Sequence, residues 1–379
     1  MVKLERIGII GGGQLARMTA YAAYRMGLEI AILDPEPDSP AGQIAHIKLV
    51  GSLNDVPMLE ELARVSNLIT LENEFVDAPL LEHLESIGTC VFPTARTVGL
   101  IQDKLLQKQI LETNGIGVPH FMGVTNYEDI YIAGERFCWP LLLKTRRNGY
   151  DGRGNVLIRE PNDTLLAWKT LEGRKSSLMV ESFVPFIKEL AVMVARSRNR
   201  EILTYPVVET IQKDHICHIV KVPADVGEDV SKMVATIARQ AIEAVDGVGI
   251  FGIEMFILED KSVLINELAP RPHNSGHYTI DACITSQYEN HLRAILGLSL
   301  GPPTMIQPSA VMVNLLGNRE GIAQVSGMEN ALSIPGVNLH IYGKRLTHLG
   351  RKMGHVTALG QNIEEALEKA TRAASFLSF

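Results

Sequence analysis

Short apolar runs alternate with segments of helical spacing from the N-terminus to Phe92: IGII, AILD, IKLV, LITL and TCVF, with residues 53–65 typical of the intervening kind. Such alternation predicts a parallel sheet with helices on its faces, because parallel neighbours need a crossover connection. From Thr94 the rhythm changes. Residues 103–114 (DKLLQKQILETN) have helical spacing, with Asp103 at the start and Gly115 just past the end. The runs LLLK, NVLI, LMVES, ELAVMVA and ILTYPVVE follow, with a long helix expected at 230–245, and together they read as an α+β region. A helix at 288–296 is followed by Gly301-Pro302-Pro303, which breaks the chain. The expected organisation is an α/β parallel-sheet domain at 1–98, an α+β domain at 99–300 and a small β-rich domain at 301–379.

Two runs near the end of the middle region carry the most specific pattern. Residues 250–258 (IFGIEMFIL) are apolar except for Glu254, and residues 262–265 lead into Asn266 and Glu267. If Asp260-Lys261 is a two-residue hairpin turn, Glu254 falls directly opposite Glu267. Facing carboxylates repel, and the surrounding Phe, Ile and Met raise the cost of charging them. A hard cation resolves the conflict. Mg2+ suits the pair, with Asn266 as a further oxygen ligand, because it takes one or two carboxylates together with phosphate oxygens. The competing reading is a slipped register with one Glu solvated at a strand edge.

Composition narrows the setting. With 379 residues, 46% hydrophobic content and a net charge of -7, the chain reads as a multidomain globular protein, and no nonspecific nucleic-acid surface is expected. No apolar run reaches the length of a membrane span and no secretory signal is seen, so a cytoplasmic location is expected. Cys90, Cys138, Cys217 and Cys283 are scattered without ligand spacing and read as buried, reduced thiols.

Beyond Glu267 the chain continues to Gly276 as NELAPRPHNSG, placing an amide, a carboxylate, a guanidinium and an imidazole together. Lys144 ends the buried run LLLK, and a buried ammonium needs a partner such as a triphosphate. The glycines of the loop TRRNGYDGRGN, Gly149, Gly152 and Gly154, allow backbone N–H groups to approach phosphates; the bland alternative is a mobile hairpin tip. At residues 181–184, Glu181, Ser182, Phe183 and Val184 run from a strand into a link whose backbone can read an adenine edge, while Glu181 or Glu189 can accept from ribose hydroxyls. Either Glu could equally be solvated. Gly11-Gly12-Gly13-Gln14-Leu15-Ala16 with Asp34 matches a dinucleotide fingerprint, although such glycines also serve close packing and anion binding generally.

Together these motifs resemble the ATP-grasp superfamily. The match narrows with GIIGGGQLARM at 8–18, YDGRG at 150–154, APRPHNSGH at 269–277, SQYENHLRAILGLSLG at 286–301, NLLG at 314–317 and YGKRLTHLGRKMGH at 342–355. In that order, over essentially the whole chain, they resemble the N5-carboxyaminoimidazole ribonucleotide synthetases of purine biosynthesis. The resemblance implies an ATP-grasp fold with a Rossmann-like N-terminal domain, and ATP-dependent carboxylation of 5-aminoimidazole ribonucleotide by bicarbonate. One departure stands out: Gln212 takes the place of the family's histidine near the nucleotide, and His215 in a polar turn is not its replacement.

Roles follow from the resemblance. Lys104 and Lys144 neutralise phosphate charge, and Arg271, His273 and Asn274 orient bicarbonate and carboxyphosphate. The loop at 148–154 is the lid. Lys344, Arg351 and Lys352 clamp the acceptor's phosphate, and Tyr150, Asp151 and Arg153 reach its ring and amine, Asp151 as the proton acceptor. Glu72 and Glu74, at a strand end in the first domain, face the same nucleotide. The expected partners are ATP, bicarbonate and the ribonucleotide, with Mg2+, in a homodimer. The alternatives are a sibling that passes formyl phosphate to glycinamide ribonucleotide, and a nicotinamide oxidoreductase resting on the glycine fingerprint.

Overall fold

The computed structural model describes residues 5–149, 154–171, 175 and 177–379. The first four apolar runs form a parallel sheet in the order Ile47–Val50, Glu29–Asp34, Arg6–Ile10, Leu68–Leu71. Its inner strands are buried on both faces, as their unbroken apolar runs require. Helix Val56–Arg64 packs Leu59 and Leu62 against the sheet and starts at Asp55, whose side chain accepts from the Met58 N–H at 3.3 Å. The fifth run, TCVF, is not a strand. It contributes a single bridge, Val91 to Ile69, because Thr94, whose N–H would make the next rung, already caps helix Ala95–Gln102.

A second lobe is an antiparallel sheet ordered Phe121–Val124, Leu178–Ser182, Leu141–Thr145, Asn155–Ile158, with Leu141, Leu143, Val180 and Ile130 in its core. The largest unit is a nine-stranded antiparallel sheet. Its path runs Val263–Ala269, Gly249–Ile257, Lys188–Arg196, Val208–Lys213, Ile216–Val222, Ser309–Leu316, Lys352–Gly360, Val337–Ile341, and Ile202–Thr204 pairs with Lys188–Arg196 off that path. The run ILTYPVVE is therefore two strands, interrupted around Pro206, where the register against Lys188–Arg196 shifts by one residue. The β-rich C-terminal segment is the far half of this same sheet, since Ser309–Leu316 pairs directly with Ile216–Val222.

Helix Glu228–Ala244 buries Val234, Ala238 and Ile242 against Leu190, Val192, Phe251 and Ile253 on one face of the sheet. Helix Gln287–Leu296 joins the sheet to the first domain. The Ile250 N–H donates to His291 Nδ1 at 3.2 Å, so Nε2 carries the ring proton and donates to Thr70 Oγ1 at 2.8 Å. Of the four cysteines, Cys217 and Cys283 are buried as expected, whereas Cys90 and Cys138 are exposed. No helix among the described residues is long and apolar enough to cross a membrane.

Candidate active site

Glu254 does pair with Glu267, by a route different from the one the turn predicts. The hairpin connection is three residues long: the Leu258 N–H donates to the Ser262 carbonyl at 3.0 Å, and Lys261 sits at φ 67°. Pairing then runs Ile257 to Val263, Phe256 to Leu264 and Met255 to Ile265. Continued unbroken, that register sets Asn266 opposite Glu254. Instead a bulge at Asn266 absorbs one residue and restores the carboxylate pair.

The pair is electrostatically loaded. Burial and then the charge of Glu267 push the Glu254 pKa up. Burial acts on Glu267 in the same direction, but the Lys104 ammonium, paired with it directly, outweighs that and holds Glu267 below the usual carboxylate range. His273 Nε2 lies 3.5 Å from Glu254 Oε1. Burial, then the charges of Arg271 and Lys352, drive the His273 pKa down to about 4, so its imidazole is neutral near pH 7. Gln287 fixes the backbone of His273 by accepting from its N–H at 2.9 Å and donating to its carbonyl at 2.8 Å. Gly252 makes room for it, since a Cβ there would lie 2.4 Å from that of His273.

Lys144 finds its partner inside the chain: its ammonium pairs with Glu181 at 2.8 Å, and Lys108 approaches the same carboxylate at 3.3 Å. Glu181 is thus buried and committed to two cations, whereas Glu189 is half-buried, with burial raising its pKa and nearby Gln212, the residue in the family histidine's place, opposing that rise. At the adenine link, Phe183 is 47% exposed, and Phe186, which sequence reasoning passed over, stacks on Phe256 with centroids 4.6 Å apart. The loop expected to act as a lid is described only at its ends. Tyr150, Asp151, Gly152 and Arg153 lie outside the described residues; Gly149 precedes them, and Gly154 sits at φ 81°, where a Cβ would lie 2.4 Å from Thr145 Oγ1.

On the other side of the cleft, Arg271 forms a two-pronged pair with Glu74, with Nη2 to Oε1 at 3.0 Å. Its guanidinium thereby ties the segment after strand Val263–Ala269 to the first domain. The amides of Asn274 and Asn314 exchange hydrogen bonds at 2.9 and 2.6 Å, which holds each in place against the other.

Glu72 accepts from the Leu15 N–H at 3.3 Å, at the start of helix Gln14–Arg25. Burial raises its pKa against the opposing influences of Asn73, Arg271 and Lys344. Burial and then Arg351 bring Lys344 down to about 8, and Lys352 is near enough to Glu254 and His273 to act on both. The loop of Lys344 rests on the first domain, where Gln43 Nε2 donates to the Gly343 carbonyl at 2.8 Å. Asp34 accepts from the Gly12 N–H at 2.6 Å and from the Glu36 N–H at 2.8 Å, so the fingerprint's acid braces its own glycine turn rather than facing outward to a ribose.

Three family models tile the chain: the ribonucleotide synthetase preATP-grasp domain at 4–102, the ATP-grasp domain at 109–288 and the phosphoribosylaminoimidazole carboxylase C-terminal domain at 310–369. Fold and site together define an ATP-grasp enzyme. The N5-carboxyaminoimidazole ribonucleotide synthase of Synechococcus elongatus is 39% identical over 378 residues, covering 99% of this chain and 94% of that protein. The crystal structure of the Thermotoga maritima N5-carboxyaminoimidazole ribonucleotide synthetase superposes with a TM-score of 0.89 at 43% identity, covering 99% of both chains. The Aspergillus clavatus synthase in complex with ADP and 5-aminoimidazole ribonucleotide gives a TM-score of 0.89 at 34% identity, covering 98% of both. The chain belongs to the N5-carboxyaminoimidazole ribonucleotide synthetase family.

Proposed function

We propose that this chain carboxylates the exocyclic amine of 5-aminoimidazole ribonucleotide with bicarbonate and ATP, releasing ADP and phosphate. The observation that carries the reading is the facing pair Glu254 and Glu267, with Lys104 on one member and neutral His273 against the other, in a chain that matches this family from end to end. Bicarbonate is a poor electrophile. In the first step one of its oxygens attacks the γ-phosphorus and the bond to ADP breaks, giving carboxyphosphate; in the second the amine nitrogen attacks the carboxyl carbon and phosphate departs. The amine's proton goes to a base, for which Asp151 in the lid is our assignment.

The carboxylate pair fits Mg2+: like charges held this close in a buried setting are stabilised by a hard cation, and Lys104 compensates only one of them. Glu254 and Glu267 would hold the ion, with Asn266 beside them, and the ion would neutralise charge on the transferring phosphoryl group. The chain's own residues do the rest. Lys104 and Lys144 lie where phosphate charge would gather, and the link at 182–184 with Phe186 offers an apolar surface to adenine. Lys344, Arg351 and Lys352 take the acceptor's phosphate, while Glu72, Arg271 and Glu74 line its approach. Phosphoryl transfer depends mainly on such positioning and charge neutralisation.

The test is ADP release with bicarbonate, with and without 5-aminoimidazole ribonucleotide, against formate with glycinamide ribonucleotide. Bicarbonate-dependent release accelerated by the aminoimidazole nucleotide is expected; formate-dependent release alone would replace this reading with the formyl-transferring sibling. Sedimentation of the purified chain checks the homodimer that the family resemblance implies.

A further inference from the structure

We infer that Lys108, assigned no role so far, is a positioning residue: its buried ammonium stabilises the bulge at Asn266 and so keeps Glu267 opposite Glu254. Lys108 projects from helix Lys104–Thr113, is 2% exposed, and has its Nζ 2.9 Å from the Asn266 carbonyl oxygen, 3.4 Å from that of Ile265 and 3.3 Å from Glu181 Oε1. The two carbonyls accept hydrogen bonds from the ammonium, and Glu181 lies beside it as a charge partner.

Those carbonyls belong to consecutive residues. In a regular strand neighbouring carbonyls point to opposite edges, so one donor cannot reach both; where a bulge turns one of them round, it can. Lys108 therefore bonds the bulged conformation and not the regular one. The outer edge of strand Val263–Ala269 tells the same story. Its outward groups are those of Ile265, whose N–H donates to the Gly117 carbonyl at 2.9 Å, and of Leu268, whose N–H donates to Gln107 Oε1 at 3.0 Å and whose carbonyl accepts from Gln107 Nε2 at 3.2 Å. A regular edge repeats every second residue, whereas here the repeat is three, which requires the bulge between them. Helix Lys104–Thr113 thus supplies side chains where a neighbouring strand is missing. Without the bulge, the three-residue turn would set Asn266 against Glu254 and rotate the Glu267 side chain to the opposite face.

The inference rests on the reading of Glu254 and Glu267 as the metal carboxylates, and the experiment separates the two. Lys108→Met keeps the length of the side chain and removes its donors, while Glu181 retains Lys144. Mn2+ binding in the presence of ADP is followed by the loss of the free-ion EPR signal, alongside the KM for 5-aminoimidazole ribonucleotide and the thermal midpoint. Mn2+ affinity is expected to fall by about tenfold or more, as for loss of a group that orients a metal ligand, while the KM for the ribonucleotide stays within about twofold. A purely stabilising lysine would lower the midpoint and leave Mn2+ affinity alone, and that result in folded Lys108→Met overturns the inference. If Lys108→Met does not fold, Lys108→Gln, which reaches one carbonyl but not both, is read by the same criteria. Glu267→Gln is the control: unchanged Mn2+ affinity there would overturn the metal reading itself and the role of Lys108 with it, whereas a loss there with no loss in the Lys108 variant overturns only the latter.

Discussion

On the side we propose for ATP and metal, two carboxylates face each other from adjacent strands of one hairpin; on the side we propose for the acceptor, opposite charges meet from segments as far apart as Glu74 and Arg271, 197 residues distant. The first arrangement is locally written and internally in conflict, and a cation relieves it. The second is already largely neutralised, Arg271 by Glu74 and Lys344 in part by Glu72, so a phosphate arriving there competes with existing partners. One side is built to take up positive charge, and the other exchanges one anion for another.

The sharpest way to break this contrast is Glu267→Gln. Turnover is expected to fall by about two to three orders of magnitude, in the range seen when one transition-state charge stabiliser is removed, with the fold intact because the repulsion on Glu254 is relieved. Glu254→Gln should behave alike, and steady-state assays of the double variant should show less than additive loss if both act through one ion. Near wild-type kcat in either single variant would mean the pair is not the metal site.

Lys344→Ala probes the other side. A charge-assisted hydrogen bond to phosphate is worth roughly 1.5 to 3 kcal/mol, so the KM for 5-aminoimidazole ribonucleotide should rise about ten- to a hundredfold while that for ATP holds within about twofold. A change confined to ATP would reassign the C-terminal cations to the nucleotide.

Stability should also depend on pH in a fixed direction. His273, His277, His291 and His355 all have pKa values lowered by burial first, with the positive charges of Arg271 and Lys352 adding to the effect on His273 and His277. Below the ordinary histidine pKa of about 6.5 the unfolded chain takes up protons that the folded chain refuses, so stability is full above that value and is lost as pH falls. Glu254, Glu72, Glu189 and Asp34, raised by burial, act in the opposite sense, while the lowered Glu74, Glu181 and Glu267 act with the histidines, and it is the histidines whose unfolded value lies inside the interval from about pH 5 to pH 7. The thermal midpoint should therefore drop between about pH 7 and pH 5. A flat profile over that interval would contradict the buried, neutral state of these rings.

The smallest effect is expected at Asn274. Because its amide is exchanged with Asn314, Asn274→Ala should alter the KM for bicarbonate by less than about threefold and act mainly on stability, through the Asn314 groups left unpaired. A large bicarbonate effect would return Asn274 to the set of groups that touch substrate.

The same contrast explains what could be read in advance. The Glu254–Glu267 pair was legible because both members lie in apolar runs joined by a short turn, although the assumed turn was one residue too short and the bulge at Asn266 made good the difference. Helix boundaries near Asp103 and Gly115 were legible because capping chemistry is local. Lys108 was not: in DKLLQKQILETN a lysine reads as the solvated face of a helix, and only the sheet edge beside it makes it a buried donor. Glu181 and Asn274 were recognised as polar groups near the site, but their partners, Lys144 with Lys108 and Asn314, come from other elements, so their orientation was invisible along the chain. The chemistry of the acceptor side entered through the family resemblance rather than through spacing, since long-range pairing leaves no periodic trace.

The ladder between Ile216–Val222 and Ser309–Leu316 makes position 301 a seam and not a joint. Backbone hydrogen bonds cross it without interruption, so the end of the sheet carrying Lys352 and the end carrying the carboxylates can twist together but cannot swing apart. The smaller antiparallel lobe that bears Lys144 is a separate four-stranded sheet, with no strand pairing to this one among the described residues. Cutting the chain at that seam would not liberate a module: it would strip one whole side of Ile216–Val222 and leave a raw strand edge ready to pair with the next molecule.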